Sequence, residues 1–426
     1  MSSNRHIAAC LPTVAAARAL CALTMASAML ACSPPKTCEP GLCPSGMRCA
    51  VDSGLCVDDG AGPSDAQPVV AGGFALVGLP GLRHAIAAYV PSRKSLVWME
   101  RGDGSATINY VVGEGVGDGL AAGEVVDAAI APDGRPHLVW LRRSDATLWH
   151  GVRGEGAWSK AQIEAIAPRR PGDRLAMTIW GGQPAIAFDD TVTGKAVASW
   201  RDAKGVWRVE DVPMPPPLAG KPARVGGTIA ISGIGGALSV AFYDPVGGDV
   251  IVSTRGGTWA TTRLAGRSAD GLTDQGDVGS PVALTRDVTG GLAVLFRDRT
   301  ENRVMLARSS SGAILFRSVD DGSYVNAELG ATRRHIVGTA LSAVTLANGR
   351  LAVAWQDASR ARIVLGVEAA NGTIVTVDVP AGARPQLRPR VTARVDGSVL
   401  VAWLELEEQG GGRVATWIFS PGGGNP

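Results

Sequence analysis

From about residue 73 onward the chain alternates short apolar runs with polar turns rich in glycine, aspartate and asparagine. Runs of about four to eight residues are too short for stable helices and fit strands. One turn-and-strand phrase recurs, as DGRPHLVW ending at Trp140, GGQPAIAF at Phe188, GGALSVAF at Phe242, GGLAVLF at Phe296, NGRLAVAW at Trp355 and DGSVLVAW at Trp403. In each, a glycine stands six residues before the aromatic, at Gly134, Gly182, Gly236, Gly290, Gly349 and Gly397. The Asp-Gly, Asn-Gly or Gly-Gly pair supplies the positive φ angles of a tight hairpin, and the apolar strand after it reads as buried on both faces. A strand such as AMTIW, TIAIS or ALSAVTL precedes the turn, and a third such as ATLWHGV, AVASW, DVIVSTR, RVMLARS or RIVLGV follows the aromatic. Trp158, Trp207 and Trp259 mark a fourth.

A four-stranded unit repeating every 42 to 59 residues predicts an all-β fold, a closed β-propeller of four-stranded blades. A weaker copy, KSLVW ending at Trp98, with PSRK in place of the glycine turn, brings the count to seven. Six or eight blades are the alternatives if that first unit is misread. The aromatic anchors are expected between blades, where large rings bury most area. The last unit ends after RVATWIFSPGGG without a fourth strand, so the apolar run GGFALVG from Gly72 to Gly78 is expected to complete it and remove two exposed edges.

Composition narrows the class. The 56 glycines and the lack of heptad or helical periodicity exclude a bundle or coiled coil. The formal charge of +2 comes from Arg5 and Arg18, and from Ser33 onward 39 basic residues balance 39 acidic ones. A neutral chain is ill suited to nucleic acid. Residues 1–31 read as an export signal, with Arg5, His6 and Arg18 ahead of the apolar stretch Ala19 to Ala31, too short to span a bilayer. Met29-Leu30-Ala31-Cys32 resembles the lipobox of bacterial lipoproteins, which implies acylation of Cys32. All seven cysteines lie between Cys10 and Cys56, and two leave with the leader. With Cys32 acylated, Cys38, Cys43, Cys49 and Cys56 remain as an even set, a two-disulfide stalk over residues 32–56 whose three possible pairings stay open. No C-x2-C pair or nearby histidine provides a zinc set. Residues 57–72 form a Gly, Pro and Asp-rich linker, and the propeller occupies 73–426.

The phrase and its later Gly-Trp strand resemble the repeats of sialidase-like propellers. STRGGTW from Ser253 to Trp259 is similar to the Asp box of that superfamily, with Arg255 at the aspartate position. The Asp box is a structural turn, so the resemblance implies fold and not activity. Sialidase chemistry implies an arginine triad and a Tyr nucleophile with its Glu. F-R-I-P is missing from the first unit, and no context recommends Tyr89, Tyr110, Tyr243 or Tyr324 as the nucleophile. No catalytic residues, metal site or cofactor are assigned.

Acidic residues stand two past the anchors, at Glu100, Asp190, Asp244, Asp298, Asp357 and Glu405, and are expected on one rim with the inter-blade loops. Repetition in six of the seven units predicts a structural role, with the carboxylates capping turns and pairing with the loop arginines. The candidates for gripping an anionic group in the funnel are Arg174, Arg224, Arg334 and Arg390; Arg174 and Arg390 are foremost because each precedes an innermost strand. His84, His137, His150 and His335 are scattered over separate units and expected to be structural. PMPPPLAGKP, Pro213 to Pro222, is expected to be a stiff spacer. The expected protein is a monomeric outer-membrane lipoprotein, facing periplasm or cell surface, whose inter-blade loop face binds a protein or glycan partner. A glycoside hydrolase and a ligand-free scaffold are the alternatives.

Overall fold

The computed structural model describes residues 47–50, 55–58 and 70–421, apart from 103–104, 113–121, 156, 219, 235, 267–275, 287–290, 311–312, 327–330, 381–385 and 407–411. The export signal, Cys32, Cys38, Cys43 and most of the linker lie outside the described residues. In the first of two units, Met47–Ala50 and Leu55–Asp58 pair as an antiparallel hairpin with Cys49 opposite Cys56.

The second unit is a ring of seven antiparallel sheets in chain order, six with four strands and the last with three. The innermost strands are Ala71–Gly78, Ala122–Ile130, Pro171–Trp180, Gly226–Ile234, Val278–Arg286, Val337–Thr345 and Gln386–Ala393. The first and last of these are neighbours, so the ring is closed. A hairpin of Ser323–Asn326 and Ala331–Arg334 is inserted between blades 5 and 6. Among the described residues no helix is long and apolar enough to cross a membrane.

The recurring phrase forms the second strand of blades 2 to 7, as in Gln183–Asp190 and Leu351–Asp357, and these strands are buried almost throughout. Their apolar residues alternate between the two neighbouring blades, which is why both faces of the strand are hydrophobic. Seven apolar clusters result, one at each seam. Trp140, Phe188, Phe242, Phe296 and Trp355 are at most 1 % exposed within them. Each innermost strand carries a register break near its start, for example between Pro171 and Leu175. Such bulges add twist and let seven strands converge on one axis.

Blade 1 departs from the sequence expectation in two ways. GGFALVG does not complete blade 7; it lies in the innermost strand of blade 1, and the two blades are joined by their packed apolar seam and by a bridge in which Val70 and Gly412 exchange amide bonds of 2.7 and 3.0 Å. KSLVW begins the third strand, Ser95–Gly102, not the second. The second strand is His84–Val90, and pairing from the hairpin puts Ala88 where other blades have the aromatic. Trp98 fills the seam from the neighbouring strand, edge-on to Trp158 at 5.3 Å between centroids.

Candidate recognition face and central funnel

The second strand of a blade ends beside the start of its first, as the pairs Pro171 with Asp190, Val278 with Asp298 and Gln386 with Glu405 show. The inter-blade loops therefore share one rim with the repeated carboxylates. Asp190, Asp244, Asp298, Asp357 and Glu405 are all buried there. Asp190 Oδ1 accepts from the amides of Arg170 and Val192 at 3.1 Å each, and Asp244 Oδ1 accepts from Arg224 and Val246 at 3.0 Å each. One carboxylate thus ties an incoming loop to its own blade's turn. Burial alone would raise the Asp190 carboxyl, but the Thr193 hydroxyl and the loop amides hold it below the usual range. Asp298 accepts from the Glu301 amide at 3.0 Å and from Arg303 Nε at 2.8 Å. Asp357 takes the Arg360 amide at 3.0 Å, and Glu405 accepts from Arg413 Nε at 2.9 Å.

Glu100 is not part of this set. It lies on the third strand near the opposite edge of blade 1, where it meets Trp98 Nε1 at 2.8 Å together with Arg83 and Arg153. In blade 2 the corresponding residue is Arg142, which pairs with Asp145 in the following turn and lies 4.8 Å from the Trp149 ring centroid.

The four candidate arginines fare differently. Arg174 lies within its strand at the bulge; its Nη1 donates to Asp189 at 2.6 Å and its Nε to the Gly227 carbonyl of the next blade at 2.7 Å. Arg334 donates to the Glu301 carbonyl at 2.7 Å and pairs with its carboxylate. The Arg224 amide is used by Asp244, while its side chain has no carboxylate partner among the described residues. Arg390 lies in the innermost strand of blade 7, just past the bulge, opposite Ala402.

Counting from the hairpin, the position of Arg390 corresponds to Ala75, Asp127, Ala176, Ala230, Ala283 and Ser342 in the other blades. Five of the seven are alanine or serine; the two charged members, Asp127 and Arg390, flank Ala75. Side chains here reach toward the following blade, as Asp127 Oδ2 accepts the Met177 amide at 2.7 Å and Ser342 Oγ the Val391 amide at 3.1 Å. The same geometry carries Arg390 over blade 1 toward Asp127. Burial, the largest influence, raises the Asp127 carboxyl, while the charge of Arg390 and the Met177 and Ala128 amides oppose it. An anion could meet the guanidinium here, with Asp127 accepting from an adjacent donor. Sequence reasoning picked Arg390 and missed Asp127, which alignment of the innermost strands would have placed in the same ring.

Other chemistry is structural. The Tyr243 hydroxyl donates to Asp277 at 2.7 Å, and Arg299 lies 3.1 Å from that carboxylate. Burial first, then Asp277, pushes the phenol up to about 12, the reverse of what a nucleophile needs. In the Asp-box-like segment Arg255 forms a two-pronged pair with Glu210 of blade 3 at 3.0 and 3.1 Å, and Trp259 Nε1 donates to the same carboxylate at 2.7 Å. The segment therefore ties blade 4 to blade 3. The proline-rich loop is fastened to blade 4, with the Pro213 carbonyl accepting from Thr261 at 3.0 Å and the Pro216 carbonyl from Arg263 at 2.8 Å. His137 and His150, expected in separate units, share blade 2 and meet at 2.9 Å. Among the described residues no group of three or more His, Cys, Asp or Glu could hold a metal.

No family model matches the chain, and no curated protein matches it. Similar solved structures include a protein of unknown function from Dyadobacter fermentans, with 14 % identity over 83 % of this chain and 97 % of that one and a TM-score of 0.45. The Aleuria aurantia lectin, solved with a fucosyl ligand, has 13 % identity over 74 % of this chain and 99 % of its own, with a TM-score of 0.46. A streptogramin B lyase has 14 % identity over 82 % and 94 % of the two chains, with a TM-score of 0.48. The blade count and topology given above rest on the chain's own hydrogen-bond ladders.

Proposed function

We propose that this chain is an exported lipoprotein, anchored through Cys32 in the outer membrane, whose propeller is a recognition disc for a protein or glycan partner at the inter-blade loop face. The observation that carries the reading is the contrast in how charges are used. The rim carboxylates are absorbed in turns, and Arg174 and Arg334 are engaged by acceptors of the ring itself. Arg390 stands beside Asp127 in a circle of small side chains with no carboxylate in ion-pair contact among the described residues. A half-buried guanidinium so placed is suited to an incoming acceptor. A glycoside hydrolase draws no support from Tyr243, whose phenol is held neutral.

A crosslinked pull-down of the tagged, lipidated protein from its native envelope, analysed for proteins and glycans, tests the reading. The expected result is a saturable partner recovered by the wild type and lost with Arg390→Ala. Arg174→Ala is a poor control, since it removes two bonds of the ring. Recovery of the same partner at the same level by Arg390→Ala would remove the funnel from the reading, and recovery of nothing saturable would overturn it.

A further inference from the structure

The strands of blade 5 turn one face toward blade 4, where Val294, Phe296 and Ala307 pack against Val250 and Val252. Cross-strand pairing sets Met305 opposite Phe296, Arg303 opposite Asp298 and Phe316 opposite Ala307, so all of these side chains share that face. At the rim end of the seam a cavity of about 620 Å³ is lined by Phe296, Met305 and Phe316 together with Asp298, Glu301 and Arg303. Its volume lies within the range of about 300–1,000 Å³ that sites for small ligands occupy.

The lining has two characters. Phe296 is 1 % exposed and holds Phe316 at a near-perpendicular angle with 6.5 Å between centroids, while Phe316 itself is 42 % exposed. A ring fixed in place but open to solvent is a platform that costs little to order when a ligand lands on it. Its negative π face attracts the weakly positive hydrogens of C–H bonds. The polar wall alternates in sign: Arg303 Nε donates to Asp298 at 2.8 Å, and Glu301 pairs with Arg334 of the hairpin inserted between blades 5 and 6. Donors and acceptors therefore stand side by side, and a ligand of either charge would meet a group of its own sign. A hydroxyl gives one hydrogen bond and accepts two, so a row of hydroxyls suits this wall where a carboxylate or an ammonium does not. A pyranose carries hydroxyls along its edge and C–H bonds on its face, which matches both parts of the lining.

We infer that this cavity is a subsite for a neutral saccharide, with one sugar ring stacked on Phe316 and its hydroxyls shared among Asp298, Arg303 and Glu301. The inference rests on the reading of this rim as a recognition face and names a ligand class for it, at blade 5 and not in the funnel.

A printed array of neutral glycans, with uronic acid and amino sugar counterparts, is the first test, using the full lipidated chain in a detergent without a sugar head group. Saturable binding of neutral glycans is expected, with the charged counterparts weaker. Phe316→Ala and Arg303→Met are each expected to weaken the tightest array ligand about tenfold or more, and Phe316→Tyr to keep most of the affinity. Should a variant fail to fold, saturation-transfer NMR on the wild type with the same ligand replaces it; transfer should be strongest to the C–H protons on one face of one sugar ring. No binding of neutral glycans, tighter binding of a charged counterpart, transfer spread evenly over the sugar, or a Phe316→Ala variant that binds like the wild type would each overturn the subsite. Arg390→Ala assayed in parallel separates the two places: affinity lost there and kept in Phe316→Ala moves the glycan to the funnel. A wild type that recovers a saturable envelope partner yet binds no array glycan overturns the subsite and leaves the recognition face standing.

Discussion

Replacing Trp98 with alanine is expected to destabilise the ring by about 3–5 kcal/mol, as much as the same change at Trp140. Trp98 is fully buried in the seam between blades 1 and 2, packed with Leu96, Leu138 and Trp140. Its ring lies edge-on to Trp158, and its Nε1 donates to Glu100 at 2.8 Å. Truncation opens a cavity that two sheets held by their own ladders cannot collapse into. Trp98→Phe keeps most of the packing, loses the indole donor and is expected to cost about 1–2 kcal/mol. Urea unfolding followed by circular dichroism measures both. A loss below about 1 kcal/mol for the alanine variant would show that blade 1 does not depend on a ring supplied by its third strand.

That substitution probes the one blade whose register the sequence misplaces. Six blades are readable because a glycine turn and an aromatic keep a fixed distance, and both have mechanical jobs: one reverses the chain, the other fills a seam. In blade 1 the two jobs are separated. The turn at Leu79 to Arg83 places its positive φ at Gly81, the anchor position holds Ala88, and the bulk arrives from Trp98 on the adjacent strand. A search for glycine plus aromatic therefore locks onto the wrong strand and leaves GGFALVG apparently spare. The count of seven survives because the unit exists, although its phrase is displaced by one strand.

The site divides along similar lines. Turn-capping carboxylates are legible in sequence because they repeat with the blades, and Asp190 and Asp244 use equivalent loop amides. The Asp127 and Arg390 pair does not repeat, and its two members are distant in sequence. Ring closure alone sets them on either side of Ala75. Glu210 as the partner of Arg255 was hidden for the same reason: it depends on which blade faces which, information held by topology and not by spacing.

Lowering the pH from about 7 to 4.5 is expected to weaken the fold through three buried histidines. Burial, helped by Arg101 and Arg394, pushes His84 down to about 4. Burial, with Arg135 next and Asp133 opposing, pushes His137 to about 4, and burial, then His137, pushes His150 to about 3. In the unfolded chain each titrates near ~6.5. As pH falls the unfolded state takes up protons first, so stability is complete above about 6.5 and declines toward about 4. A single histidine with such a shift costs on the order of 3 kcal/mol at the lower end. His137 and His150 titrate as a unit, because one donates to the other across 2.9 Å and a second proton would set two cations in contact. His150→Phe retains a ring against Trp207, whose centroid lies 5.4 Å away, and should flatten the part of the curve that belongs to the pair. Carboxylates held low, such as Asp145 and Asp190, act only below their unfolded value near ~3.9, whereas Asp127, raised by burial, takes up its proton in the folded state first and works against the decline, so a loss of stability between about 4.5 and 6.5 comes from the histidines. Urea midpoints measured across that window should fall steadily for the wild type and less steeply for His150→Phe; a flat wild-type profile would show that the imidazoles gain protons as readily in the ring as outside it.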